Sequence, residues 1–87
     1  MASYRIEWKH SAIKELKYLP KEVLARIVQT VGKLTEDPFP AGVKKLMGAE
    51  HTYRIREGSY RVIFTVATSS LVIEIIRVGH RKDVYDR

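Results

Sequence analysis

YRIREGSYRVIFTV, residues 53–66, is the stretch whose reading decides the fold. Residues 51–56 alternate, so that Tyr53 and Ile55 fall on one face of a strand and Arg54 and Arg56 on the other. Glu57-Gly58-Ser59 reads as a tight hairpin connection, and residues 60–68, YRVIFTVAT, form a second strand rich in β-branched and aromatic side chains. Ser69-Ser70 is a turn, and residues 71–78, LVIEIIRV, make a third strand. That last run is apolar apart from Glu74 and Arg77, which predicts an interior strand covered on both faces.

Upstream, Tyr4, Ile6 and Trp8 alternate with Arg5, Glu7 and Lys9, the period of a half-buried strand. Ser11 is the expected N-cap of a short helix carrying Ile13, Leu16 and Leu19 and stopping near Leu19. Pro20 suits the first position of a second helix, because its missing N–H needs no partner there. Val23, Leu24, Ile27, Val28, Val31 and Leu34 give that helix a broad apolar stripe. Gly32 either weakens the helix or marks a close contact, and the DPFP run at 37–40 ends it. An irregular connection over residues 39–49 then carries Lys44 and Lys45.

The fold class predicted is α+β, in the order β-α-α-β-β-β. Residues 1–87 make one domain: an antiparallel sheet of about four strands with the helix hairpin packed on one face. The absence of cysteine excludes a disulfide scaffold, a thiolate nucleophile and sulfur-ligated metal. His10, His51 and His80 are too far apart for a metal-ligand motif, and the glycines form no phosphate-cradling loop, so neither a metal nor another cofactor is expected. No secretion signal or membrane span is visible, and the expected location is cytoplasmic.

A net charge of +6 makes a polyanion the expected partner, although basic surfaces also serve solubility alone. Arg54 and Arg56 lie about 7 Å apart on one strand face, near the spacing of successive phosphates along a nucleic-acid strand. Arg61 lies near Arg56 across the turn, so two guanidinium groups can converge on one phosphate. An ordinary solvated sheet face is the alternative. Beyond the last strand, VGHRKDVY at 78–85 brings His80, Arg81, Lys82 and Tyr85 together in sequence. His80 can exchange a proton near neutral pH, and Tyr85 is either a packing residue or a stacking platform for a base.

YRIREGSYRVIFTV and VGHRKDVY, with KKLMG at 44–48, resemble the RelE family of bacterial and archaeal toxins over essentially the full chain. The resemblance implies a toxin that enters the ribosomal A site, contacts ribosomal RNA and cleaves mRNA there. The reaction is attack by a 2′-hydroxyl, giving a 2′,3′-cyclic phosphate and a 5′-hydroxyl. It also implies a cognate antitoxin that wraps the toxin. Arg54 and Arg56 stand where the family commonly has two lysines, a proposed general base and a phosphate contact. Arg61 matches the arginine that binds the scissile phosphate, Arg81 the proposed acid or charge stabiliser, and Tyr85 the base-stacking tyrosine. Lys44 and Lys45 are expected to bind substrate.

An arginine holds its proton too firmly for an ordinary base, so His80 is the expected helper in proton transfer. Some relatives continue into a helix after the tyrosine, whereas this sequence ends two residues past Tyr85, and that region is expected to be open or partner-covered. Within the same superfamily, a gyrase-directed ParE-like toxin and a non-catalytic RNA- or antitoxin-binding member are the alternatives.

Overall fold

The computed structural model describes residues 3–80. Its elements run β1 (Arg5–Trp8), α1 (His10–Leu16), α2 (Lys21–Lys33), β2 (Lys44–Lys45), β3 (Thr52–Glu57), β4 (Tyr60–Ala67) and β5 (Val72–His80). The strands form one five-stranded sheet in the order β1-β5-β4-β3-β2. This is the α+β arrangement expected, with two differences in the sheet.

The first is direction. β1 pairs parallel to β5, with Ile6 opposite Ile73 and Trp8 opposite Ile75, so the sheet is mixed. Alternation places Tyr4, Ile6 and Trp8 against the core but carries no information about the direction of a strand that arrives much later in the chain. The second is β2, which forms inside the connection expected to be irregular and pairs antiparallel with Tyr53 and Arg54. Aromatic contacts hold that connection down. Phe39 meets Tyr53 edge-on at 4.9 Å, and Tyr53 stacks on Phe64 at 6.0 Å.

The doubly covered strand is β4 rather than β5. Val62, Phe64 and Val66 point into the helix-covered core, while Arg61 and Ile63 are also buried on the other face. β5 instead alternates, and its continuous apolar run has a different cause. Phe64 faces Ile75 but Ile63 faces Arg77, so β5 has an extra residue and bulges there. The bulge shifts the parity, and Val78 joins Ile73 and Ile75 in the core. Both β3 and β5 also start one residue later than expected, because His51 (φ 60) and Leu71 (φ 58) occupy the left-handed region.

The helices lie on one face, α1 against β5 and α2 against β3. Lys9, not Ser11, is the N-cap of α1; its carbonyl accepts from Ala12 and Ile13 at 2.9 and 3.0 Å. After Leu16 the chain tightens, with three-residue hydrogen bonds ending at Leu19. Pro20 is the N-cap of α2 rather than its first residue. Val23, Ile27, Val31 and Leu34 fill the core from this side, while Val28 is exposed.

Gly32 has open space around it: a methyl group added there meets nothing within 4 Å. Its presence therefore costs helix stability without a packing return. Gly32→Ala should raise unfolding free energy by about 0.4–1 kcal/mol, measured by urea denaturation.

Candidate active site

The site is built on the β3-β4 hairpin. Gly58 takes φ 61 while Ser59 stays out of the positive-φ region, which makes a two-residue turn of the type whose twist suits a hairpin. Glu57 then faces Tyr60, Arg56 faces Arg61, Ile55 faces Val62 and Arg54 faces Ile63. Directly opposed residues share a face, so Arg56 and Arg61 emerge side by side from backbones about 5 Å apart. Arg54 follows on the same side. Lys44 joins them because it is paired with Arg54.

Two guanidinium groups directly opposed on a sheet repel one another, an arrangement that an anion relieves. Arg61 is 6% exposed, whereas Arg56 is open to solvent. Gly79 stands opposite Arg61 on β5 and presents no side chain beside it. Arg54 is half-buried, and its Nε is fully shielded with no hydrogen-bond partner among the described residues. A shielded, unmatched N–H costs about 1–3 kcal/mol, which a bound acceptor would recover.

Register separates other residues that the sequence analysis grouped. Lys45 is paired with Tyr53 and so belongs to the helix-side face, opposite to Lys44. His80 is paired with Tyr60, and their rings meet edge-on at 5.4 Å. Tyr60 shares its face with Glu57, which contacts α2, so His80 also lies on the helix side and points away from Arg56 and Arg61. It lines a separate cleft of about 310 Å³ with Glu15, Tyr18, Tyr60 and Arg77. Arg81, Lys82 and Tyr85 lie outside the described residues.

Two carboxylates that sequence reasoning missed hold this framework. Glu57 accepts a hydrogen bond from the Thr30 hydroxyl at 2.9 Å and pairs with Arg26 Nε at 3.4 Å, tying the hairpin tip to α2. Glu15 does the same for β5. β1 ends at Trp8, opposite Ile75, and among the described residues no strand pairs with the remainder of that β5 edge. There Glu15 Oε1 accepts the Val78 backbone N–H at 2.7 Å, and Oε2 pairs with Arg77 Nε at 3.4 Å. A side chain thus completes the edge just before Gly79. No local pattern marks Glu15, which sits among polar residues of a short helix. Its role needs the pairing of β1 with β5.

Among the described residues no group of three or more histidines, cysteines, aspartates or glutamates gathers as a metal site. No described helix is long and apolar enough to cross a membrane.

Fold and site together define a small basic α+β protein with an arginine pair on its hairpin. The chain belongs to the ParE toxin family of type II toxin-antitoxin systems, whose model matches residues 6–85, and the proteins it resembles are RelE and RelG toxins. It is 29% identical to toxin RelG of Mycobacterium tuberculosis over 85 residues, spanning 97% of this chain and 98% of that one. To toxin RelE3 of Methanocaldococcus jannaschii it is 31% identical over 78 residues, spanning 85% and 86% of the two chains. Among solved structures it is similar to the archaeal RelE-RelB complex from Pyrococcus horikoshii, with TM-score 0.81, 33% identity and coverage of 91% and 96%. The isolated Escherichia coli RelE toxin superposes with TM-score 0.79 at 25% identity, over 90% of this chain and 84% of that one.

Removing the Glu15 carboxylate leaves the Val78 N–H without its acceptor. Glu15→Ala should lower unfolding free energy by about 1–2 kcal/mol, and Glu15→Gln, which keeps an acceptor oxygen, should lose less than half as much. Chemical denaturation of the two variants beside the parent checks this.

Proposed function

We propose that this toxin is a metal-independent endoribonuclease that cleaves mRNA in the ribosomal A site. The 2′-hydroxyl of one nucleotide attacks its own 3′-phosphate, forming the 2′,3′-cyclic phosphate. The bond to the next 5′-oxygen breaks, and that oxygen leaves with a proton as a 5′-hydroxyl. The observation that carries this reading is the direct opposition of Arg56 and Arg61, with the unmatched Arg54 Nε on the same face. Two guanidinium groups there would hold the non-bridging oxygens of the scissile phosphate and stabilise the charge that develops on them.

A guanidinium is a poor general base, because it holds its proton too firmly. The reaction then depends strongly on geometry, and a ribosome that aligns the message for in-line attack would supply it. From the RelE resemblance, Arg81 is proposed as acid or charge stabiliser and Tyr85 as the stacking platform for the substrate base. Lys44 extends the phosphate contacts on the arginine face, while Lys45 would reach RNA only around the sheet edge. The partners proposed are mRNA, ribosomal RNA and a cognate antitoxin; relatives of known structure include RelE-RelB complexes. A ribosomal target puts the toxin in the cytoplasm.

His80 was the sequence-based candidate for proton transfer. Its place on the helix side against Tyr60 favours a packing role instead. His80→Phe, which keeps a ring there, should retain single-turnover cleavage within about threefold; a drop of about 10²-fold or more would restore the proton-transfer role.

The defining experiment is cleavage of message on programmed ribosomes with analysis of the ends. Arg61→Ala should slow cleavage by about 10²- to 10³-fold, and Arg61→Lys, which keeps charge without the fork, should fall between. Intact message with the parent protein would sink the proposal. The family model carries the ParE description, so a DNA supercoiling assay is the informative companion. Inhibition of gyrase without cyclic-phosphate ends would favour the ParE-like activity.

A further inference from the structure

The free edge of β3 beside Arg56 holds a second concentration of charge. β2 covers β3 only at Tyr53 and Arg54, so Ile55, Arg56 and Glu57 have no strand on that side among the described residues. A cleft of about 380 Å³ opens there between the strand edge, α2 and the loop before β2. Thr30, Lys33, Gly42, Lys44, Arg56 and Glu57 line it.

The charges in this cleft do not balance. Lys33, Lys44 and Arg56 are cations, and among the described residues none of them pairs with a carboxylate. The one carboxylate on the lining, Glu57, is already engaged by the Thr30 hydroxyl and Arg26. Arg56 also belongs to the opposed arginine pair, so the cleft and the candidate active site share this residue at the edge of the sheet. An anion held by Arg56 and Arg61 that continues into the cleft is favoured there if it carries further negative charge along its length. A nucleic-acid backbone, with one charge per nucleotide, has that form.

We infer that the cleft is a phosphate subsite, in which Lys33 and Lys44 bind the phosphodiester next to the scissile one. The inference rests on the mRNA-cleavage reading and extends it to Lys33, a helix residue far from the arginines in sequence. Lys33 supplies a fixed charge from α2, and Lys44 supplies one from the sheet. Together they set the direction in which the message leaves Arg56. An acidic peptide could satisfy the same charges, and the test separates the two.

The probe is a message on programmed ribosomes with a 2′-O-methyl group at the attacking position, which permits binding without cleavage. Lys33→Gln should weaken binding about three- to tenfold near physiological salt and reduce the slope of log affinity against log salt by about 0.7. A second message replaces, in turn, each phosphate flanking the scissile one by a neutral methylphosphonate. At one of these positions the parent should lose more than that factor, because the Lys44 contact goes too, and Lys33→Gln should lose clearly less than the parent, since its Lys33 contact has already been removed. Losses that multiply at both positions would place Lys33 on ribosomal RNA or a protein and overturn the subsite. Parent-like binding by Lys33→Gln would overturn it too. A parent protein that leaves unmodified message intact would instead overturn the cleavage reading itself.

Discussion

The turn at Gly58-Ser59 closes Glu57 onto Tyr60, and every pairing between β3 and β4 follows from that closure. A slip of one residue would turn Tyr53 and Ile55 out of the core and drive Arg54 and Arg56 into it. The apolar face therefore enforces the register that the turn begins, and burial of Ile55, Val62 and Phe64 opposes any alternative. The arginine pair is a consequence of this. Arg56 meets Arg61 because the core positions on either side of them admit no other alignment.

The hairpin and its neighbour β5 are braced by two carboxylates used in similar ways. Glu57 anchors its tip to α2 through Thr30 and Arg26, while Glu15 accepts a backbone N–H of β5 beyond the end of β1. Each removes a local weakness: a protruding turn in one case, an unpaired backbone donor in the other. The bulge in β5 belongs to the same design. It turns Val78 into the core and sets Gly79, which has no side chain, opposite Arg61. The RelE-type toxin thus holds its basic face on rigid elements, which suits chemistry that depends on positioning charge.

Charge on this small sheet is asymmetric between the faces. Parity divides residues that are adjacent in sequence, sending Lys44 to the arginine face and Lys45 to the other, and it does the same to Gly79 and His80. A basic cluster read along the chain overstates how many cations can act on one phosphate. Across the sheet, by contrast, residues distant in sequence meet, as Lys44 does with Arg54.

The sequence by itself determined the two helices and the four longer strands in their order, the hairpin centred on Gly58, the shared face of Arg54 and Arg56, and the neighbourhood of Arg61. These are local properties: a period of two, a period of 3.6 and a turn residue that tolerates positive φ. Only the tertiary structure decided that β1 runs parallel to β5, that β4 is the doubly buried strand, and that His80 faces Tyr60. It alone brought Glu15 to Val78 and Lys33 to the edge beside Arg56. Those facts depend on which elements lie side by side and on a bulge that resets parity. Both are settled by packing between segments distant in sequence, which no local periodicity records.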